Sequence, residues 1–144
     1  MTASPDGATL ADHTVVAHNT ATESTNKIHD DDVAQAYGFR GGLVPGVDVY
    51  AYMTHIPVRE WGRAWLEHGA MAARFVTPVY DGHTVTVSGT DDGDALAIAV
   101  HDGATACATG RAGRQPAAVD RPVPPVAVLP DRPPPASAAV LRPG

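Results

Sequence analysis

The sequence predicts an α+β fold in which one long helix lies across an antiparallel sheet. Three observations lead to this prediction: an early β-branched segment, a helical pattern through the second quarter of the chain, and four short strand-like runs after Gly69. The chain has 144 residues, of which 44% are apolar, and this is enough to bury one core. We therefore expect a single globular domain.

The first elements are a strand, a loop and a short helix. A strand is predicted at 13–18, whose centre is β-branched, and a loop over 19–26, which is rich in Thr and Ser. A helix is predicted over 30–37, because three carboxylates at its start complement the helix dipole. Gly38 then provides a natural C-terminal stop.

Two further helices are predicted in the middle of the chain. The segment 44–54 is the most apolar long stretch, and its pattern indicates a buried helix. Pro57 is predicted to start a second helix over 58–67, since proline suits the first helical turn. Trp61 and Trp65 lie one turn apart on this helix and are interpreted as packing residues.

The second half of the domain is predicted to be a β-meander. Four β-compatible runs occur at 72–76, 84–88, 95–100 and 105–109. Asp and Gly separate these runs, and both residues tolerate positive φ in hairpin turns. From Gln115 onward nine of thirty residues are proline, which cannot supply central strands. We therefore divide the chain into an extension at 1–12, a domain at 13–114 and a proline-rich tail or linker at 115–144.

Composition excludes several classes of function. There are 16 carboxylates against 10 Lys and Arg, so no basic patch is available for a nucleic acid. No apolar run approaches the length of a membrane span, and the segment before Gly7 lacks the features of a signal peptide, so a cytoplasmic protein is expected. The single cysteine, Cys107, excludes an internal disulfide and is expected to be buried in a strand. No metal site is expected.

Three motifs carry the chemistry, and together they resemble a known family. Residues 23–29 read Glu-Ser-Thr-Asn-Lys-Ile-His, residues 37–46 read Tyr-Gly-Phe-Arg-Gly-Gly-Leu-Val-Pro-Gly, and residues 74–83 read Arg-Phe-Val-Thr-Pro-Val-Tyr-Asp-Gly-His. In this order they resemble the active-site loop, the turn into the central helix, and the strand and turn of the MaoC-like hotdog dehydratases and R-specific enoyl-CoA hydratases. The resemblance covers roughly 15–110.

The resemblance implies a hotdog fold, with a long central helix wrapped by a curved antiparallel sheet, and a dimer whose sheets join edge to edge. It also implies a substrate that is an acyl thioester of coenzyme A or of an acyl carrier protein, and no further cofactor. The family uses an Asp and a His to add water to an α,β-unsaturated thioester, or to remove it. By this resemblance His29 is the acid/base, and Asn26 shapes the loop.

The main departure from the family is Ser24, which occupies the position of the catalytic aspartate. A serine hydroxyl can position water or substrate, but its high pKa makes it a poor general base. Three alternatives stay open. A carboxylate of Glu23, Asp30 or Asp31 replaces the aspartate and hydration survives; the chain is a non-catalytic thioester-binding or heterodimer subunit; or it is a thioesterase or binds another small molecule.

The glycine-rich run suggests where the substrate binds. Gly42 and Gly46 are either helix-entry glycines or residues that let a ligand approach the backbone closely. The resemblance places the Val44 and Gly46 amides where they polarise the thioester oxygen. Arg40 is a candidate contact for a phosphate of coenzyme A or of a carrier protein. The partner in the dimer is either a second copy or a second hotdog subunit, because the tail resembles the linker of double-hotdog proteins.

Overall fold

The computed structural model describes residues 7–23, 31–36, 38, 41–116 and 125, with only the backbone of Asp31. Within these residues a sheet of six strands packs against one long helix. In chain order the elements are β1 (Ala8–Thr9), β2 (His13–Val16), α1 (Asp31–Ala36), α2 (Gly46–Trp61), α3 (Arg63–His68), β3 (Ala70–Phe75), β4 (Thr84–Asp91), β5 (Leu96–Asp102) and β6 (Thr105–Gly113).

The sheet is antiparallel throughout and has the order β1-β4-β5-β6-β3. β2 also pairs with β4, at the end of β4 opposite to β1: Val16 lies opposite Thr84, and Ala8 lies opposite Asp91. The predicted α+β architecture, with a long helix across an antiparallel sheet, is confirmed.

The core lies between α2 and one face of the sheet. On α2 the buried side chains Val49, Met53 and Ile56 recur at helical spacing, and they meet alternate residues of the central strands, such as Val85 and Val100. Two glycines allow this approach. A Cβ on Gly110 would lie 2.6 Å from Cε of Met53, and one on Gly89 would lie 2.8 Å from Cγ2 of Ile56.

The predicted boundary between the second and third helices is wrong. Pro57 does not start a helix but lies fully buried inside α2. Its missing N–H removes the bond to the carbonyl of Met53, but the packing of this turn against the core keeps the helix continuous. The break comes instead at Gly62, whose φ of 68° lies in the left-handed region.

The predicted meander is correct for β4, β5 and β6 but wrong for β3. β3 pairs with β6 and forms the edge of the sheet, so the chain crosses from one side of the sheet to the other between Phe75 and Thr84. Asp81 and Gly82 do make a turn, with φ of 80° at Gly82. This turn leads into β4 and does not close a hairpin with β3, because β4 pairs with β5 and β2.

The two ends of the chain differ in what the structure describes. Ala8 and Thr9, within the predicted N-terminal extension, pair with β4. The predicted tail lies outside the described residues, apart from Gln115, Pro116 and Pro125. Among the helices that are described, none is both long and apolar enough to span a bilayer.

Candidate functional site

Most of the predicted catalytic residues lie outside the described residues. These are Ser24, Asn26, His29 and Asp30, together with the predicted phosphate contact Arg40. Asp31 begins α1, and Glu23 is exposed at the end of the segment that leads into this loop. Gly42, Val44 and Gly46 are described, as are the segment before the loop, 17–23, and α1 after it.

The second and third motifs are hydrogen-bonded to each other. The Val44 N–H donates to the carbonyl of Val79 over 2.8 Å, and the Asp81 N–H donates to the carbonyl of Gly42 over 3.1 Å. Between these bonds Leu43 and Tyr80 form an antiparallel bridge. The entrance to α2 is therefore fixed against the segment that precedes β4.

The same segment holds the chain that leads into the first motif. We call residues 17–23, between β2 and the predicted active-site loop, the loop stem. The Ala17 N–H donates to the carbonyl of His83 over 2.7 Å, and the Gly82 N–H donates to the carbonyl of Ala17 over 2.8 Å. The loop stem and the second motif therefore both bond to residues 79–83 of the third motif, although they are far apart in the chain.

Side chains fasten the loop stem on two sides. On one side, Oδ1 of Asp81 accepts from the Asn19 N–H over 2.8 Å, and the Asn19 side chain is itself buried and accepts from the Ala21 N–H over 2.9 Å. On the other side, the Thr20 hydroxyl donates to Oδ2 of Asp48 over 2.5 Å. These bonds hold the stem against both the β4 entrance and the first turn of α2.

An apolar groove of about 360 Å³ opens at the start of α2. Its size suits a small acyl group, and its lining is mainly hydrophobic, as small-molecule sites usually are. The residues that line it are Leu43, Val44, Gly46, Val49, Phe75, Val76, Thr77, Pro78 and Val79. We call this the apolar groove.

Gly46 brings the backbone of α2 to the groove without a side chain. A Cβ at this position would lie 3.5 Å from the ring of Phe75, which is ordinary van der Waals contact. The first amides that bond within α2 are those of Asp48 and Val49, which both donate to the carbonyl of Pro45. The amides of Gly46 and Val47 precede these bonds, so they have the geometry of helix N-terminal donors.

The predicted role of the Val44 amide requires correction. Its N–H is already engaged with the carbonyl of Val79, because the chain forms a short bridge here before α2 begins. Val44 contributes instead its buried side chain to the wall of the groove. Gly42 is buried one residue before this bridge, and its carbonyl accepts from Asp81.

Two polar features near this site were not anticipated from the sequence. Asp48 and Asp81 each hold the loop stem, and Nδ1 of His83 bonds Oδ2 of Asp102 over 2.5 Å at the start of β4. Asp81 and His83 fall inside the third motif, which is a signal that could have singled them out. Nothing local distinguishes Asp48 from a carboxylate that only complements the dipole of α2. The described residues contain no group of three or more metal-ligating side chains.

Comparison with solved structures identifies proteins of the same architecture. The chain superposes on the ChsH1-ChsH2 complex from Mycobacterium tuberculosis with a TM-score of 0.60 and 20% identity, covering 74% of this chain and 93% of that one. For the (R)-hydratase from A. caviae involved in PHA biosynthesis the TM-score is 0.59 and the identity 17%, covering 76% and 96%. For the R-hydratase PhaJ1 from Pseudomonas aeruginosa the values are 0.61 and 16%, covering 81% and 90%.

No model of a known protein family matches the sequence, and no curated protein matches it. At these levels of identity the structural likeness establishes the fold. The neighbours include hydratases of the kind to which the three motifs pointed, and the predicted hotdog fold is confirmed.

Proposed function

We propose that this hotdog chain is a MaoC-like hydro-lyase that hydrates an α,β-unsaturated acyl thioester or dehydrates the corresponding 3-hydroxyacyl thioester. One observation carries the proposal. The apolar groove begins at the N-terminal amides of α2, and the segment that forms its wall at Val79 continues directly into the residues that hold the loop stem. An acyl group in the groove would thus have its thioester near the amides, and the groove wall at Val79 leads to the stem from which the predicted catalytic loop starts.

The chemistry assigns a role to each part. In hydration, water adds its oxygen to the β-carbon of the enoyl thioester, one water proton passes to a base, and the α-carbon receives a proton. Negative charge develops on the thioester oxygen, and the amides of Gly46 and Val47 would donate to it. His29 is the proposed acid/base, Ser24 would position water or substrate, and Asn26 would shape the loop.

The proposed mechanism still requires a carboxylate in place of the family aspartate. Glu23, Asp30 and Asp31 are the candidates, because all three are neighbours of the predicted loop in the sequence. Glu23 lies at the end of the loop stem and is exposed, so its side chain is accessible to a ligand. Substituting each carboxylate in turn by the corresponding amide distinguishes the three candidates, since the substitution of the residue that acts as base will lower kcat most.

The test is hydration of crotonyl-CoA by the pure protein. The reaction is measured as the decrease in absorbance of the conjugated thioester. We expect turnover by the wild type and a loss of at least about 100-fold in kcat for His29→Ala, in keeping with general acid–base catalysis. His68→Ala is the matched control, because His68 is an exposed histidine on α3. Absence of hydration, or an equal rate in His29→Ala, would overturn the proposal.

Ser24 favours a second candidate, a non-catalytic thioester-binding subunit that acts beside an active partner. Under this alternative the pure protein binds a non-hydrolysable acyl-CoA analogue but does not hydrate an enoyl thioester. Calorimetry measures the binding. A hotdog thioesterase is the remaining alternative. It would release free coenzyme A from a saturated acyl-CoA, which a thiol reagent detects.

The proposed partners follow from the same interpretation. We expect the acyl group to be carried by coenzyme A or an acyl carrier protein in the cytoplasm, with Arg40 near a phosphate of the carrier, and we expect no further cofactor. We also expect a homodimer, or a heterodimer with a second hotdog subunit, joined edge to edge at β3. β3 forms one edge of the described sheet. No nucleic-acid or membrane partner is proposed.

A further inference from the structure

We propose that Thr20 and Asp48 are a positioning pair, which fixes the loop stem relative to the amides at the start of α2. This inference rests on the proposed function, because it concerns the alignment of two parts of the same site. Neither residue is proposed to touch the substrate. Their role is to hold the end of the loop stem and the oxyanion donors at a constant separation.

The position of Asp48 is what makes the pair informative. Asp48 follows Gly46 by two residues, so it belongs to the same helical turn as the amides proposed to bind the thioester oxygen. Val49 and Met53 are buried in the core and anchor this part of the helix. The carboxylate of Asp48 is therefore a fixed point, and the Thr20 hydroxyl that donates to it is held at a defined distance from the amides.

The position of Thr20 supplies the other half of the argument. Several bonds join the loop stem to other elements, including the Asn19 N–H to Asp81 and the His18 N–H to the hydroxyl of Tyr52 over 3.1 Å. Among those described, the bond from Thr20 is nearest in sequence to Ser24. It is thus the last described point at which α2 restrains the chain before the predicted loop begins.

The expected effect falls on turnover rather than on stability. Thr20 is exposed, and a hydrogen bond at an exposed site contributes little to folding. Alignment is more sensitive, since misplacing a catalytic group by about 1 Å can lower the rate about 100-fold. We therefore expect Thr20→Val and Asp48→Ala to lower kcat by about 10-fold to 100-fold, with KM changed less than about 3-fold.

The experiment combines kinetics with amide hydrogen exchange on the full chain. Thr20→Val, Asp48→Ala and the double variant are compared with the wild type, and Thr20→Ser tests whether restoring a hydroxyl restores the rate. Thr54→Val is the matched control, since it removes a hydroxyl on α2 that bonds only the carbonyl of Ala51 within the described contacts. Exchange is measured for peptides that cover the loop stem and, separately, β5 and β6.

We expect faster amide exchange in the stem for both single variants and unchanged exchange in β5 and β6. The double variant should turn over no more slowly than either single variant, and Thr20→Ser should keep the wild-type kcat. Unchanged exchange in the stem would overturn the proposed positioning role. A loss of kcat in the double variant equal to the product of the two single losses would overturn it as well, because it would show that the residues act independently. If the wild type hydrates no thioester, the proposed function fails by itself. Faster exchange in the stem would then still support the link between Thr20 and Asp48, and unchanged exchange would overturn it.

Discussion

The imidazole ring of His13 stacks on that of His55, with centroids 3.6 Å apart and planes inclined by 8°. His13 begins β2 and His55 lies in the middle of α2, so the stack joins the helix to the strand that leads into the predicted loop. Arg59 lies one turn further along α2 and donates to the carbonyl of Ala11 over 2.8 Å. Three groups that can carry positive charge thus lie along one junction.

We expect this junction to make stability depend on pH. Loss of water where the rings meet lowers the pKa of His55, and repulsion from His13 and Arg59 lowers it further. Because the folded chain disfavours the protonated ring, the unfolded chain binds more protons near the ordinary histidine pKa of about 6.5. The stabilising contribution is complete above that value and is lost as the pH falls through and below it.

His55→Gln tests this dependence through thermal unfolding between pH 7.5 and pH 5. We expect the difference in Tm between these pH values to be smaller in His55→Gln than in the wild type. His68→Gln is the control, because His68 is an exposed histidine on α3, and we expect its difference in Tm to match that of the wild type. A difference in Tm in His55→Gln identical to that of the wild type would contradict the role of the stack.

Gly46→Ala separates binding from folding. The new methyl group would contact the ring of Phe75 at an ordinary distance, and alanine favours a helix over glycine by about 1 kcal/mol, so we expect unchanged or slightly raised stability. The methyl group would nevertheless lie in the apolar groove beside the proposed thioester donors. We expect affinity for an acyl-CoA analogue to fall by at least about 10-fold, which is 1.4 kcal/mol, measured by calorimetry.

Gly113→Ala is the matched control for this change. Among the described residues, an added Cβ here would have one close neighbour, the carbonyl oxygen of Gln115 at 3.4 Å. Gly113 lies at the end of β6, away from the lining of the groove. We expect wild-type affinity in that variant. Equal affinity in Gly46→Ala would show that the α2 entrance is not where the thioester binds.

The parts of this molecule that could be predicted from the sequence are those set by local pattern. The apolar pattern of 44–54, which includes Val49 and Met53, is enough to predict a buried helix, although α2 continues beyond this segment to Trp61. The pairing of β3 with β6 was missed because it depends on which strand edges the folded sheet leaves open, and a turn sequence at Asp81 and Gly82 does not encode this.

The same limit applies to the candidate site. His29 and Gly46 can be proposed as site residues from the sequence because motif and residue type indicate a chemistry for them. The contact between Thr20 and Asp48 spans 28 residues and arises only when the loop stem is laid against α2. Its two residue types are common in loops and first helical turns, so no local signal distinguishes them.

Met53→Ala measures how much the contact between α2 and the sheet stabilises the fold. Met53 is completely buried, and its methyl group fills the space that Gly110 leaves open. Removing the side chain would leave a cavity, so we expect a loss of about 2–5 kcal/mol in the free energy of unfolding, measured by urea denaturation. Leu66→Ala, at a side chain that is 63% exposed, should change it by less than about 0.5 kcal/mol.

Cys107 is expected to be unreactive in the folded protein. It is the only cysteine in the sequence, and it is buried as predicted. Burial raises the pKa of its thiol, whereas a backbone hydrogen bond at Asp102 lowers it and the charge of Asp102 raises it, and the net pKa is raised. The thiolate is the reactive species, so a raised pKa and lack of access both slow reaction. We expect no modification by a disulfide reagent at pH 8 until denaturant is added. Rapid reaction of the native chain would contradict this burial.

Formation of the proposed dimer can be tested at exposed apolar side chains beside the β3 edge. Phe75 ends β3, Val76 follows it and is 61% exposed, and Val47 on the first turn of α2 is 76% exposed. Exposed hydrophobic residues grouped at an unpaired strand edge are typical of a surface that a partner covers.

We expect Val76→Asp to shift the mass in solution from dimer to monomer, measured by light scattering. Leu66→Asp, a comparable change at an equally exposed side chain on α3, should leave the mass unchanged. A wild type that is already a monomer would exclude a homodimer. A Val76→Asp variant that remains a dimer would place the interface elsewhere.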